Sequence, residues 1–154
     1  MARAPVTSAA ARRLHDAVRE GDVAAVAALC AADRALANTR SETDARGTYP
    51  LHVAAEFDRA DAAQVLLRHG ADPALRDIEN DAIPLGWAAF FGRPGVVAVL
   101  LEHGSEVSQR NRHGLTPLGC AVGGTEGKWR QFSDATLDDW RQCATLLRAR
   151  RAVE

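Results

Sequence analysis

The sequence has 154 residues, of which 47% are hydrophobic but only 5% are aromatic, and its formal net charge is −1. This length suits a single domain, and the lack of a net positive charge argues against a nucleic-acid partner. No stretch approaches the length of a membrane-spanning helix, and the N-terminus has no apolar signal segment. We therefore expect a cytoplasmic protein that does not associate with membranes.

The first motif along the chain is a proline-leucine pair followed by small residues, and it occurs three times. The copies span residues 49–55, 83–89 and 116–122, so their prolines are 34 and then 33 residues apart. Proline suits the first position of a helix, because the amide at that position has no acceptor within the helix. A fixed period of this length predicts a stack of similar units, in which no unit buries its apolar face alone.

A second apolar run follows the motif at a matching distance. In the first two copies this run ends in histidine-glycine, at residues 69–70 and 103–104. Short stretches with turn and cap residues, at 58–61 and 92–95, separate the two apolar segments. Glycine at the end of the run fits a left-handed helix C-cap. Each unit is therefore predicted to contain a helix, a turn, a second helix and a loop.

This combination resembles the ankyrin repeat, whose signature is Thr-Pro-Leu-His-x-Ala. The resemblance includes Pro50-Leu51-His52 and continues to Gly-Ala-Asp-Pro at residues 70–73. A degenerate copy at residues 14–30, which lacks the proline, is typical of a capping unit. We predict an all-α ankyrin-repeat solenoid that forms one domain over residues 1–154. Its four helix-turn-helix units are expected at about residues 9–43, 44–76, 77–110 and 111–151.

The units depart from the signature at two positions. Threonine precedes the proline only in the last unit, since Tyr49 and Ile83 replace it earlier. Loss of a hydroxyl cap typically costs a helix about 1 kcal/mol. Glycine replaces the signature histidine at Gly86 and Gly119. We expect the helix starts at these glycines to be less stable.

The last unit carries an insertion between its two helices. Val122 and Leu146 are 24 residues apart, whereas the equivalent residues of earlier units are 11 apart, so the unit has gained 13 residues. We place the insertion at about residues 123–136. It contains Trp129 and Phe132, and this aromatic content argues against disorder.

The beginning of the insertion resembles a phosphate-binding loop only superficially. Gly123 to Lys128 lack the G-x-x-x-x-G-K-[ST] spacing, and we predict a flexible hinge there. Ser133 is expected to cap a second helix that starts early. The insertion either presents its aromatic side chains toward Phe90 and Phe91 or covers the apolar end of the stack in place of a fifth unit.

In ankyrin proteins, the residues after the alanine pair and those at the loop tips face a concave groove that holds a protein partner. Phe91 could instead be a core residue. Loop arginines could form a basic rim for a carboxylate or phosphate, or could pair with neighbouring acidic side chains. The resemblance implies partner-binding roles for Arg46, Glu56, Phe57, Phe90, Phe91, Arg112 and His113.

Two functions follow from these residues. The first is a non-catalytic module that binds another protein on the concave face. The second is a small-molecule or atypical catalytic site closed by the insertion, with Glu56, Trp87, His113 and Trp129 around the ligand and Phe132 in the lid. We identify no catalytic residues, no metal-ligand spacing and no cofactor motif, which favours the first function.

The remaining features concern the cellular setting. Lys128 is the single lysine among 19 basic residues, which is typical of a GC-rich bacterial genome, although selection for bidentate arginine contacts would give the same bias. Three cysteines without C-x-x-C spacing argue against a disulfide framework, and we expect Cys30 and Cys120 in the core. Because the last unit lacks the polar glycine-bearing end, weak self-association through it is possible.

Overall fold

The computed structural model describes the backbone of residues 4–153 and the side chains of residues 9–151. Within this part of the chain all regular structure is helical, with eight α-helices and one 3₁₀ helix, Arg34–Asn38. The α-helices are α1 (Ala4–Glu20), α2 (Val23–Ala32), α3 (Pro50–Glu56), α4 (Ala60–Arg68), α5 (Pro84–Phe91), α6 (Pro94–Glu102), α7 (Pro117–Thr125) and α8 (Leu137–Val153).

The helices form two rows. The inner row contains α1, α3, α5 and α7, which pack side by side in chain order, and the outer row contains α2, α4, α6 and α8. Each inner helix also packs on the outer helix that follows it. Repeated helix pairs that contact only their neighbours form a solenoid, which confirms the predicted fold class.

Small side chains allow the inner helices to approach one another closely. The alanine pairs Ala54-Ala55 in α3 and Ala88-Ala89 in α5 are fully buried. The outer row supplies larger apolar groups, such as Leu66 and Leu100, which are also fully buried. The core is therefore built mainly from alanine, valine and leucine, which explains why the chain needs few aromatic residues.

The starts of the helices follow the sequence pattern. Proline is the first residue of α3, α5 and α7, as the motif predicts, and it is also the first residue of α6. The Thr116 hydroxyl accepts a hydrogen bond from the backbone N–H of Gly119 at 3.2 Å and caps α7. At the start of α3, where Tyr49 replaces threonine, the Tyr49 backbone N–H donates to His52 Nδ1 at 3.2 Å. The histidine therefore satisfies an amide at this helix end.

The structure differs from two predictions about the insertion. α7 continues through Gly123 and Gly124, so this segment is helical and not a hinge. The cap of α8 is Thr136 and not Ser133, because the Thr136 hydroxyl accepts from the Asp139 N–H at 3.2 Å. In return, Asp139 Oδ2 accepts from the Thr136 N–H at 2.8 Å. This reciprocal pair satisfies two amides, whereas a serine three residues earlier would lie outside the helix.

The cysteines are buried core residues. Cys30 and Cys120 pack in the hydrophobic core as predicted, and Cys143 is also buried. Burial raises the pKa of Cys120 and of Cys143 to about 12, so both thiols are poor nucleophiles at neutral pH. Across residues 4–153, we find no helix with the length and apolar character needed to span a membrane.

Candidate functional site

A cavity of about 590 Å³ lies between the inner helices α5 and α7, the loop tips and the insertion. We call it the aromatic cavity, because five of its lining residues are tryptophan or phenylalanine. Its lining consists of Arg46, Glu79, Asn80, Ala82, Gly86, Trp87, Phe90, Phe91, Asn111, His113, Leu115, Cys120, Trp129 and Phe132.

Equivalent positions of three successive loops form the polar rim of the cavity. In each loop an Asp or Asn side chain folds the turn that holds a rim residue. Asp44 Oδ1 accepts the backbone N–H of Arg46 at 2.9 Å, and Asn111 Oδ1 accepts that of His113 at 2.9 Å. These side-chain turns fix the backbone locally, so the rim residues have defined positions. The rim side chains are Arg46, Glu79 and His113.

Trp87 forms a rigid wall of the cavity. Its side chain is only 4% exposed, and its indole N–H donates to Asp77 Oδ1 at 3.0 Å. The same oxygen accepts the backbone N–H of Ala82 at 3.0 Å, while Asp77 Oδ2 accepts that of Asn80 at 2.8 Å. Because the buried carboxylate is bonded on both oxygens, it holds the indole and the loop together.

Aromatic side chains from α5 and the insertion meet in one cluster. The Phe90 ring centroid lies 4.8 Å from that of Trp129, 5.8 Å from that of Phe132 and 5.1 Å from that of Phe91. These separations are typical of interacting aromatic pairs. Phe132 remains 58% exposed. The insertion therefore places Trp129 and Phe132 toward α5, as one of the two interpretations predicts.

Long-range hydrogen bonds hold the insertion and the start of α8 against α5. The Trp140 indole N–H donates to the Phe90 carbonyl at 3.0 Å, and the Ser133 hydroxyl donates to the Phe91 carbonyl at 2.6 Å. The Trp129 indole N–H donates to the Cys120 carbonyl at 2.7 Å. The two carbonyls of α5 lie in its last turn, where they lack partners within the helix. The insertion and α8 thus cap the end of α5, and the insertion also forms one wall of the cavity.

Two glycines in α7 make room for the tryptophans. A Cβ atom added at Gly123 would lie 2.6 Å from the Trp129 ring, and one added at Gly124 would overlap the Trp140 ring. A side chain at either position would force the neighbouring indole to move. The Gly-Gly pair is therefore a packing motif, in which bare backbone lies against two indoles.

The charge of Arg46 is balanced by two carboxylates. Its guanidinium donates to both oxygens of Glu56 at 2.9 Å and to Asp44 at 2.9 Å. It also lies over the Trp87 ring, 4.9 Å from the centroid. Partial burial alone would raise the pKa of Asp44, but the hydrogen bonds from Arg46 and Thr48 lower it to about 2. The hydrogen bonds to Glu56 and to Asp44 raise the pKa of Arg46, so the guanidinium stays charged.

The other loop arginines connect neighbouring units through backbone carbonyls. Arg112 donates to the Ile78 carbonyl at 2.9 Å, and Arg76 donates to the Arg110 carbonyl at 2.8 Å. Arg112 does not line the aromatic cavity. The bonds between loops give arginine a structural role that lysine, with its single nitrogen, fills less well.

The remaining predicted site residues separate into two groups. Phe57 is 38% exposed and lies apart from the cavity, with the Arg19 guanidinium 5.8 Å from its ring centroid. Glu56 does not line the cavity either, but it holds Arg46, which does. Among the lining residues, Asn111 and Cys120 carried no sequence signal for this role.

Gly86 explains why a cavity exists at this junction. In the preceding unit, the fully buried His52 occupies the equivalent position, and its Nε2 bonds the Ala82 carbonyl at 2.9 Å. A Cβ added at Gly86 would meet only Ala82 within 4 Å, at 3.8 Å. Replacement of the signature histidine by glycine therefore leaves open space. In the sequence, Gly86 was interpreted only as a weaker helix start, so this signal for the site was missed.

Within the described residues, no group of three His, Cys, Asp or Glu side chains is placed to hold a metal ion.

Comparisons with known proteins agree with this architecture. The family model for ankyrin repeats (3 copies) matches residues 12–77. The chain is also 46% identical over 48 residues to the 2-5A-dependent ribonuclease of Homo sapiens. That alignment covers 31% of this chain but only 6% of the human protein. Residues 12–77 therefore match ankyrin repeats, and the same helix pairing continues beyond them as far as α8.

Proposed function

We propose that this protein is a non-catalytic module that binds another protein on its concave face, with the aromatic cavity at the centre of the contact. Ankyrin repeats are generally protein–protein interaction modules. The observation that carries the proposal is the exposure of Phe132 beside the rigid cluster of Phe90 and Trp129. Exposed aromatic side chains next to a fixed pocket are typical of interface hot spots. Rigid surroundings also lower the entropy lost on binding.

The supporting features extend to the cellular setting, which is part of the proposal. Three buried, free cysteines suit a reducing compartment such as the cytoplasm. Bacterial origin is supported only by the residue bias.

The test compares two single variants in affinity purification from the native host, with captured proteins identified by mass spectrometry. Phe132→Ala removes the exposed aromatic side chain, and Glu102→Ala is the matched control at the exposed end of the outer helix α6. We expect a partner that both wild type and the control retain and that Phe132→Ala loses. Titration of that purified partner should then show at least about a 30-fold weaker Kd, as for a hot spot of about 2 kcal/mol.

Thermal unfolding of each variant is the control for folding. Because Phe132 is mostly exposed, its replacement should leave Tm nearly unchanged. Phe90→Ala is a poorer test, because it would lower both the affinity for the partner and the stability of the fold. Light scattering of the purified chain would detect self-association. The proposal would be contradicted if Phe132→Ala still captured the partner while substitutions on the outer helices abolished capture.

A second candidate function is the binding of a small molecule in the aromatic cavity. The volume of about 590 Å³ lies in the range of ligand sites, roughly 300–1,000 Å³. The name of the human relative describes a ribonuclease that depends on 2-5A, so 2-5A is a suitable first compound in a screen by thermal shift. A true ligand should raise the Tm of wild type but not that of Gly86→His, in which the new imidazole occupies the cavity. Failure of Gly86→His to abolish the shift would place the ligand elsewhere.

A further inference from the structure

The charge around the aromatic cavity is unbalanced toward negative. Arg46 contributes one positive charge, but it is shared between the carboxylates of Asp44 and Glu56. Four of its five N–H groups already point at these two partners. A bound anion would therefore find no bidentate donor pair on Arg46.

Glu79 adds a further negative charge to the rim. It lines the cavity, its side chain is exposed, and it forms no ion pair with any cation in the described part of the chain. Its backbone N–H bonds the Arg46 carbonyl at 3.2 Å, which fixes the position of the residue next to the cavity. His113 is the other titratable side chain of the rim. An unpaired carboxylate at a rigid cavity attracts a cationic group.

The walls of the cavity also suit a cation. The faces of tryptophan and phenylalanine carry negative electrostatic potential, and aromatic enclosures of this kind bind ammonium and guanidinium groups. Within this cavity the guanidinium of Arg46 already lies 4.9 Å from the Trp87 centroid. Phe90, Trp129 and Phe132 provide further rings that face the same space.

We propose that the aromatic cavity binds the ammonium or guanidinium end of a basic side chain carried by the partner protein. The long alkyl stem of lysine or arginine would lie along the aromatic walls, and the charged end would approach Glu79. This inference rests on the proposed function, because it names the chemistry of the group that the concave face receives.

The test uses capped single amino acids as probes and the indole N–H signals of the ¹⁵N-labelled full chain as reporters. Trp87 and Trp129 line the cavity, whereas the buried Trp140 does not and serves as an internal reference. N-acetyl-lysine methylamide and N-acetyl-arginine methylamide should shift the first two signals. The matched neutral probe, N-acetyl-norleucine methylamide, should bind about fivefold more weakly, as expected for loss of a cation–π contact of about 1 kcal/mol.

Substitutions of the rim residues test whether Glu79 causes the preference for cationic probes over the neutral one. Glu79→Gln should weaken the lysine probe about threefold at low salt, leave the norleucine probe unchanged and leave Tm unchanged, since an exposed charge contributes only modestly. Glu102→Gln, an equivalent change on the outer row, should have no effect on either probe. His113→Gln should leave the preference for cations intact.

Three results would overturn the proposal: equal binding of the lysine and norleucine probes, tighter binding of N-acetyl-glutamate methylamide or of 2-5A, or no indole shift with any cationic probe. None of these would by itself overturn protein binding on this face. Protein binding on this face is tested by the partner capture of Phe132→Ala. If that variant loses the partner while the probes show no preference for cations, protein binding is supported and the cation site is not.

Discussion

The junction between α3 and α5 and the junction between α5 and α7 come from the same repeat but are completed differently. In the first, the buried His52 bonds the Tyr49 amide and the Ala82 carbonyl and fills the space between the units. In the second, Gly86 replaces the histidine, and the aromatic cavity occupies the space. One substitution in a stacking motif can therefore convert a structural contact into a candidate binding site.

The second junction has a substitute for the missing histidine. Trp140 of α8 bonds the last turn of α5, and Trp129 of the insertion bonds α7, so α8 and the insertion together form a clamp on the two inner helices. This clamp leaves the centre of the junction open, whereas a histidine would close it. The difference shows how a repeat protein can lose a signature residue, keep the stack together and gain a cavity.

The largest expected effect concerns the clamp itself. Trp140 is 1% exposed, so Trp140→Ala should destabilise the fold by about 3–5 kcal/mol, the usual cost of removing a buried tryptophan. Trp129→Ala, at a half-buried indole in the same clamp, should cost about half as much. Urea denaturation of both variants gives the comparison. If Trp140→Ala cost less than Trp129→Ala, α8 would not be the anchor of the second junction.

Residues such as these also show how far prediction from sequence reaches. The helices that begin at Pro50, Pro84 and Pro117 were predictable, because their start signals are local and recur with a fixed period. The path of the insertion was only partly predictable, since it depends on bonds such as Trp140 to Phe90 across 50 residues. Ser133 was expected to cap a helix because it is a good cap residue, but it bonds a distant carbonyl instead.

The histidine of the first junction should make stability depend on pH. Burial lowers the pKa of His52 to about 4, and its Nδ1 accepts the Tyr49 amide, which a proton would prevent. The unfolded chain takes up this proton near pH 6.5, so the folded state loses stability as pH falls from about 7 to 4. The loss attributable to His52 should be at most about 3 kcal/mol, or about 1.4 kcal/mol per unit of pKa.

The control for this prediction is His52→Gln, whose side chain does not titrate. Its unfolding free energy should change less over the same pH range than that of wild type. Burial also lowers the pKa of His15, so some dependence will remain in the variant. Identical pH profiles would mean that His52 does not carry the effect and that the first junction tolerates a charged imidazole.

The glycines of α7 test the clamp from the opposite side. Gly124→Ala places a methyl group into the Trp140 ring, and overpacking of this kind typically costs about 2 kcal/mol. The control is Gly119→Ala in the same helix, where the nearest atom to the added Cβ is a Leu115 methyl at 3.4 Å. That change should be neutral or stabilise by up to about 1 kcal/mol, because alanine favours helix more than glycine does. Equal effects at the two positions, measured by chemical denaturation, would show that the tryptophan does not lie flat on α7.

The smallest effect on stability, and the most direct test of the comparison, is at Gly86. Gly86→Ala should stabilise α5 by up to about 1 kcal/mol and leave the cavity open, since the added Cβ meets only Ala82. Gly86→His should instead reproduce the first junction, with its imidazole donating to the Leu115 carbonyl, the equivalent of the Ala82 carbonyl that His52 reaches. Both variants should fold, but only the histidine should prevent the lysine probe from shifting the Trp87 and Trp129 indole signals. A Gly86→His protein that still binds the probe would show that the missing histidine is not what opens the second junction.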